Sequence, residues 1–224
     1  MLPPSGGRLL EVGAGLGSVG ALLAERFEYV GLEPDPTSFA TARERVGTRG
    51  RVLNSTVEQL ESSEMFDVLC AFEVLEHLED DFGALKRWLG HVRPGGWVLV
   101  SVPLGRDRFG PQDEFVGHYR RYDKTDLAAL LERCGLSEIG LVAYGFPLGN
   151  ALDSARDVIA RRRRSEPSRH ERTGASGRWL QPPAWAAAGT RAFTLPFRMI
   201  QRPFAGTSWG IGLVGRARLL THGP

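Results

Sequence analysis

The sequence predicts an α/β fold built on a parallel sheet wound in right-handed crossovers. Three observations carry that reading. Short apolar runs alternate along the chain with helical patterns. The runs are apolar almost throughout, as strands are when helices cover both faces of a sheet. The first run passes directly into a glycine-rich turn and a helix start, which is the architecture of a ligand crevice at a sheet's carboxyl edge. The chain has 224 residues, 42% hydrophobic and 24% charged, enough for one globular domain with an appendage.

The elements follow in order. Leu9–Val12 is the first strand, and the helical pattern Val19–Phe27 follows the glycine turn. Tyr29–Leu32, Val52–Leu53, Phe66–Phe72 and Trp97–Val102 are the next strands, separated by helical patterns at Thr37–Val46 and Phe82–Val92. Thr125–Cys134 is a further helix, capped by Asp123 or Thr125, with Leu127, Leu130 and Leu131 as its apolar stripe and Gly135 as its stop. Ile139–Tyr144 reads as a strand. The pattern then changes. Phe146–Phe204 holds a helical run ending in Arg161–Arg164, a polar stretch from Ser165 to Gly177, and an aromatic, proline-punctuated segment from Trp179 onward. Gly210–Arg218 is the final strand. No internal repeat is visible.

Net charge is +2, but this is a cancellation. From Asn150 to Pro224 there are thirteen Arg, no Lys, two Asp and two Glu, a net of +9, which leaves −7 on the rest. The two cysteines, Cys70 and Cys134, are far apart with no CxxC, so they read as core residues in a reducing compartment. The N-terminus lacks the basic and apolar regions of a signal peptide, and Arg191 and Arg198 interrupt the best candidate for a membrane span.

Several motifs stand in a telling order. Glu11-Val-Gly-Ala-Gly-Leu-Gly17 joins the first strand to the first helix; its glycines allow positive φ and close backbone approach. Gly15-Leu-Gly17-Ser-Val-Gly20 also matches the dinucleotide pattern GxGxxG, a weak signal alone. Glu33 ends the second strand, where a carboxylate can accept bonds from ribose hydroxyls. Phe66-Asp-Val-Leu-Cys-Ala-Phe-Glu-Val-Leu-Glu-His77 spans the fourth strand, and Arg93-Pro-Gly-Gly96 leads into the fifth.

Over Gly7 to Ala143 this series resembles the class I S-adenosylmethionine-dependent methyltransferases, specifically the small-molecule group that includes quinone-biosynthesis O-methyltransferases. The resemblance implies a Rossmann-like, doubly wound, seven-stranded, mostly parallel sheet with an antiparallel last strand and a helical insertion before it. It divides the chain into a cofactor-binding core at 1–145, an acceptor-side insertion at 146–205 and a final core strand at 206–224. The cofactor-facing residues it implies are Glu11, Gly13, Ala14, Gly15, Gly17, Glu33, Pro34, Thr56, Val57, Phe72 and Glu73. Thr56 stands where the family often has an acidic residue at the adenine loop. Relatives commonly carry one or two helices before the first strand, so the true start is expected upstream of Met1.

Methyl transfer from a sulfonium requires alignment of donor and acceptor and, for a hydroxyl, removal of a proton. If the segment after the fourth strand is helical, Glu73, Glu76 and His77 share one face. His118, in Gly117-His-Tyr-Arg-Arg-Tyr122, can complete a divalent metal set of Glu73, Glu76, His77 and His118, as a similar pattern does in some relatives. Set against this is the reading that Glu73 touches the cofactor, Glu76 pairs or caps, and His77 packs at the sheet edge. His118 is the candidate general base because an imidazole titrates near neutrality; the bland alternative is a histidine that orders its loop.

The arginine-rich insertion, with Trp179, Trp185, Phe193, Phe197 and Phe204, has three readings: a cover over the acceptor pocket, a peripheral membrane surface, and a nucleic-acid surface, in that order. The expectation is a cytoplasmic methyltransferase, or a membrane-peripheral one, acting on a small-molecule or lipid-like acceptor at oxygen. An RNA methyltransferase and a non-catalytic cofactor-binding protein are the alternatives.

Overall fold

The computed structural model describes residues 3, 5–147, 149–150, 153, 204 and 206–220. Seven strands form one sheet: β1 (Arg8–Val12), β2 (Glu28–Leu32), β3 (Gly50–Leu53), β4 (Phe66–Phe72), β5 (Val92–Pro103), β6 (Leu136–Tyr144) and β7 (Gly212–Leu219). Their spatial order is β3-β2-β1-β4-β5-β7-β6. The pairings among β1 to β5 are parallel, whereas β7 runs antiparallel to both β5 and β6. The doubly wound sheet with an antiparallel last strand is therefore present as predicted.

Adjacent residues of the central strands face opposite cores, as a period of two demands. Leu9 and Tyr29 pack with Leu23, Phe27, Ala42 and Val46 on one face. Leu10 and Val30 pack with Leu85, Trp88, Leu127 and Leu131 on the other. These faces are covered by α1 (Gly20–Leu23) and α2 (Pro36–Val46), and by α3 (Asp81–Leu89) and α5 (Lys124–Arg133); a short α4 (Pro111–Val116) lies between the last two in the chain. Both cysteines are buried and free, in keeping with their reading as core residues.

Helix starts are set locally. Asp35 accepts from Ser38 N at 2.8 Å ahead of Pro36, and Asp80 accepts from Gly83 N at 2.8 Å. Asp123 is the N-cap of α5, and its own N–H donates to Asp126 at 3.1 Å. Gly135, at φ +87°, follows the end of that helix, where an L side chain would be strained.

Several elements differ from the sequence reading: α4 was not expected, and β6 begins three residues before Ile139. The helix expected over Val19–Phe27 is a four-residue α1, because the chain turns at Arg26 and Phe27, whose N–H groups both return to Leu23 O. The fifth strand begins at Val92. Arg93 to Gly96 form an irregularity inside it, since the register with β4 jumps from Phe66↔Val92 to Val68↔Trp97. The segment after β4 is a single 3-10 turn, Leu75–His77, and Glu73 precedes it in the left-handed region at φ 55°.

The insertion motifs Arg161–Arg164, Trp179, Trp185, Phe193 and Phe197 lie outside the described residues. No described helix is long and apolar enough to cross a membrane.

Candidate active site

Chain order reverses between β1 and β4, so their carboxyl ends open a crevice at a topological switch point. The glycine turn leaves β1 there. Gly13, Gly15 and Gly17 all have positive φ, but for different reasons. A Cβ on Gly13 would lie 2.6 Å from Val74 Cγ2, and one on Gly17 would lie 2.8 Å from Ala42 Cα. Internal packing requires both. A Cβ on Gly15 would meet nothing within 4 Å, so Gly15 is the glycine that faces open space.

Glu33 closes one side of this crevice. Its carboxylate accepts from Gly15 N at 2.7 Å and from Asp35 N at 2.9 Å. Burial raises its pKa, and these two backbone donors work against that rise. Asn54 ties the third-strand loop to the same corner by donating to Glu33 O and Pro34 O, at 2.8 and 2.9 Å. Pro34 and Thr56 are exposed beside it, and Phe72 is half-buried at the end of β4. Thr56 N donates to Gln59 at 3.0 Å, which fixes the turn after β3. Val57 sends its side chain into the core, so only its backbone can face a ligand. Ala14 is buried, with its N–H bonded to Leu32 O at 2.8 Å.

Glu11 lies under the turn rather than along the crevice. It is 2% exposed and accepts a short hydrogen bond from Tyr29 Oη. Burial pushes its carboxyl up to about 7, and the Tyr29 bond only partly offsets that. The folded state therefore prefers Glu11 protonated. Its contribution to stability is complete below the unfolded pKa and is lost as pH rises through about 7. Glu11→Gln removes this titration and retains an acceptor for Tyr29. Urea unfolding should show the wild type losing roughly 2–3 kcal/mol more stability than the variant between about pH 5 and about pH 8. Parallel pH profiles would refute this account of Glu11.

Across the crevice, at the ends of β4 and β5, the structure gathers a second group. Glu76 Oε, His77 Nδ1 or Nε2 and a His118 ring nitrogen lie within 4.8 Å of one another. Glu76 is fully buried. Neither of its oxygens, nor His77 Nδ1, has a hydrogen-bond partner among the described residues. Burial and the nearby Glu73 charge hold the Glu76 carboxyl well above its ordinary range. Burial, then the neighbouring His118, push His77 down to about 4. Burial disfavours the charged form of both groups.

The His118 ring is fixed from behind. Its Nδ1 lies 2.7 Å from Asp113 Oδ1, which leaves Nε2 directed at Glu76, 4.0 Å away. Asp113 is 1% exposed and also accepts from Gly110 N and from Arg121 Nε, the latter at 2.9 and 2.8 Å to its two oxygens. Burial raises its pKa, but the His118 bond and the Arg121 charge carry it below the usual range. Arg121 in turn donates to Asp153 at 3.0 Å.

Glu73 lies beside this group, close enough for its charge to act on Glu76, but its carboxylate is held by other partners. Its Oε1 accepts from Ser101 Oγ at 2.7 Å and Tyr144 Oη at 3.0 Å, and it is not among the three clustered residues. Tyr144 reaches it because Gly210 and Gly212 leave room for its backbone and ring. Sequence reading missed Asp113, Arg121, Ser101 and Tyr144. Only the last two carry any signal, as polar residues at strand ends beside the crevice.

A family model described as a methyltransferase domain matches residues 1–139. The curated ubiquinone biosynthesis O-methyltransferase of Rhodopseudomonas palustris (strain BisB18) is 32% identical over 106 residues, which cover 44% of this chain and 40% of that protein. An uncharacterised methyltransferase of Mycobacterium sp. (strain KMS) is 33% identical over 119 residues, covering 52% and 46%. The chain thus spans less than half the length of these relatives. Among solved structures, N-methyltransferase NodS of Bradyrhizobium japonicum WM9 with S-adenosyl-L-homocysteine superposes with a TM-score of 0.55 at 16% identity, over 95% of this chain and 77% of that one. Phosphoethanolamine N-methyltransferase 2 of Haemonchus contortus with S-adenosyl-L-methionine gives 0.60 at 16% identity, over 98% and 50%. These likenesses establish a shared fold.

Proposed function

The chain belongs to the family of that methyltransferase domain, and from this premise we propose that it moves a methyl group from S-adenosylmethionine to an oxygen of a small-molecule acceptor. The observation that carries the proposal is the open space over Gly15 with the Glu33 carboxylate beside it, at the switch point of the sheet. A cofactor with a ribose and an amino-acid tail fits these groups. Glu33 has lone pairs left for hydroxyls, and nothing protrudes from Gly15. When bound, S-adenosylmethionine supplies a methyl group already activated by its sulfonium.

The chain's own part is to align and to manage a proton. Glu33 and the turn hold the donor. His118 Nε2, oriented by Asp113 through Nδ1, is the group placed to accept a proton from an acceptor hydroxyl. The orphaned atoms of Glu76 and His77, with His118 Nε2, also suit a divalent cation: one carboxyl group and two imidazoles in reach of one point. Such a cation, when bound, would lower the pKa of an acceptor hydroxyl. The choice of oxygen rests on this cluster and on the names of the curated relatives.

Two glycine variants test the cofactor site. Gly15→Ala places a methyl in open space at positive φ, so it should cost only about 1 kcal/mol of stability. S-adenosylhomocysteine affinity by calorimetry should nevertheless fall at least about tenfold, because the methyl occupies the crevice. Gly17→Ala drives a methyl against α2 and should lower the melting temperature instead. No binding of S-adenosylhomocysteine by the wild type would sink the proposal.

A further inference from the structure

A second cleft lies on the other side of the Tyr119–Tyr122 segment. Its volume is about 470 Å³, within the range of small-molecule sites. None of Glu76, His77, His118, Gly15 or Glu33 lines it, so it is separate from the crevice above. Its walls carry four arginines, Arg106, Arg120, Arg121 and Arg133, and two carboxylates, Asp81 and Asp126. Phe109, Ala129 and Leu130 supply an apolar side.

The charges are not evenly matched. Arg120 Nη1 pairs with Asp81 at 2.9 Å, and Arg106 Nη2 pairs with Asp126 at 3.0 Å. Arg121 is committed to Asp113 and Asp153. Arg133 is left over. Its guanidinium lies over the Phe82 ring at 4.6 Å, and it pairs with no carboxylate among the described residues. Stacking on a ring leaves the edge of a guanidinium, with its forked donors, free to point outward. The cleft therefore presents one guanidinium, that of Arg133, which no carboxylate among the described residues engages, with planar, bidentate donors beside an apolar wall.

We infer that this cleft binds a small carboxylate with a flat apolar body, held bidentately by Arg133 and packed against Phe109 and Leu130. A carboxylate matches the planar fork of this one guanidinium, and a flat apolar body matches the wall beside it. The inference does not depend on the proposed methyl transfer.

The test is an amide NMR titration of the whole chain with benzoate, using benzamide as the neutral isostere and inorganic phosphate as the dianionic competitor. Benzoate should shift Phe109, Ala129, Leu130 and Arg133, and bind at least about tenfold tighter than benzamide. Arg133→Gln should remove the benzoate shifts. Ala129→Trp, which fills the cleft without touching a charge, should remove them too. Arg49→Gln, on the far surface, should not. Equal shifts by benzamide, shifts elsewhere in the chain, tighter binding of phosphate than of benzoate, or full retention in Arg133→Gln would each overturn the inference.

Discussion

Arg121→Met is expected to destabilise the protein by about 3–5 kcal/mol, because it strands a buried carboxylate. Arg121 is 5% exposed and Asp113 1%, so solvent cannot replace the lost guanidinium. Asp113 would keep only Gly110 N and the His118 ring as partners. Urea unfolding at neutral pH checks this directly. Arg218→Met is the control: its Glu138 partner is at 3.3 Å and both side chains are about half exposed, so the loss should stay below about 1 kcal/mol. If the two variants lose equal stability, the Asp113–Arg121 pair is not the anchor of this corner. Because Asp113 also fixes the His118 ring, Arg121→Met should lower methyl transfer by more than its stability loss explains.

Glu76→Gln is expected to reduce methyl transfer at least about a hundredfold, the scale of an acid–base or Lewis-acid contribution. The amide keeps the size of Glu76 but removes an anionic ligand from the cluster with His77 and His118. Stability gives a separate readout. A cation held only by the native state stabilises it by about 2.7 kcal/mol at a hundredfold excess over Kd. Adding magnesium or zinc after chelation should raise the wild-type melting temperature but leave Glu76→Gln unchanged. Glu73→Gln should still respond, since Glu73 bonds Ser101 and Tyr144 outside the three-residue set. A wild type that shows neither a thermal response nor a change in turnover on add-back has no functional cation here, and His118 then acts as a base alone.

The sheet was legible in the sequence because its signal is local. Strands buried on both faces must be apolar throughout, and Phe66–Phe72 matches β4 residue for residue. The glycine turn and Glu33 were legible too, since positive φ and a strand-end carboxylate leave marks on single positions. Which glycine faces open space was not legible. That depends on Val74 and Ala42, about sixty and twenty-five residues away. The Glu73–Glu76–His77 face was read from helical spacing, but the chain forms one tight turn there, so spacing did not decide proximity. Asp113 and Arg121 escaped notice because an Asp and an Arg in a polar loop look solvated until the fold buries both.

The point where the chain leaves β6 is also where it comes back. Tyr144 O accepts from Ile211 N at 2.8 Å, and Ile211 O then accepts from Leu104 N at 2.8 Å. The two ends of the 145–210 connection are thus stitched together at a neck, beside the tyrosine that reaches Glu73. The length of the connection can vary at little entropic cost, since closure grows only with the logarithm of loop size. The register of β6 with β7 is set by strands on either side of the neck, with Tyr144 opposite Gly212. A change of chain length between residues 154 and 203 should therefore leave the pairing of β6 with β7 in place.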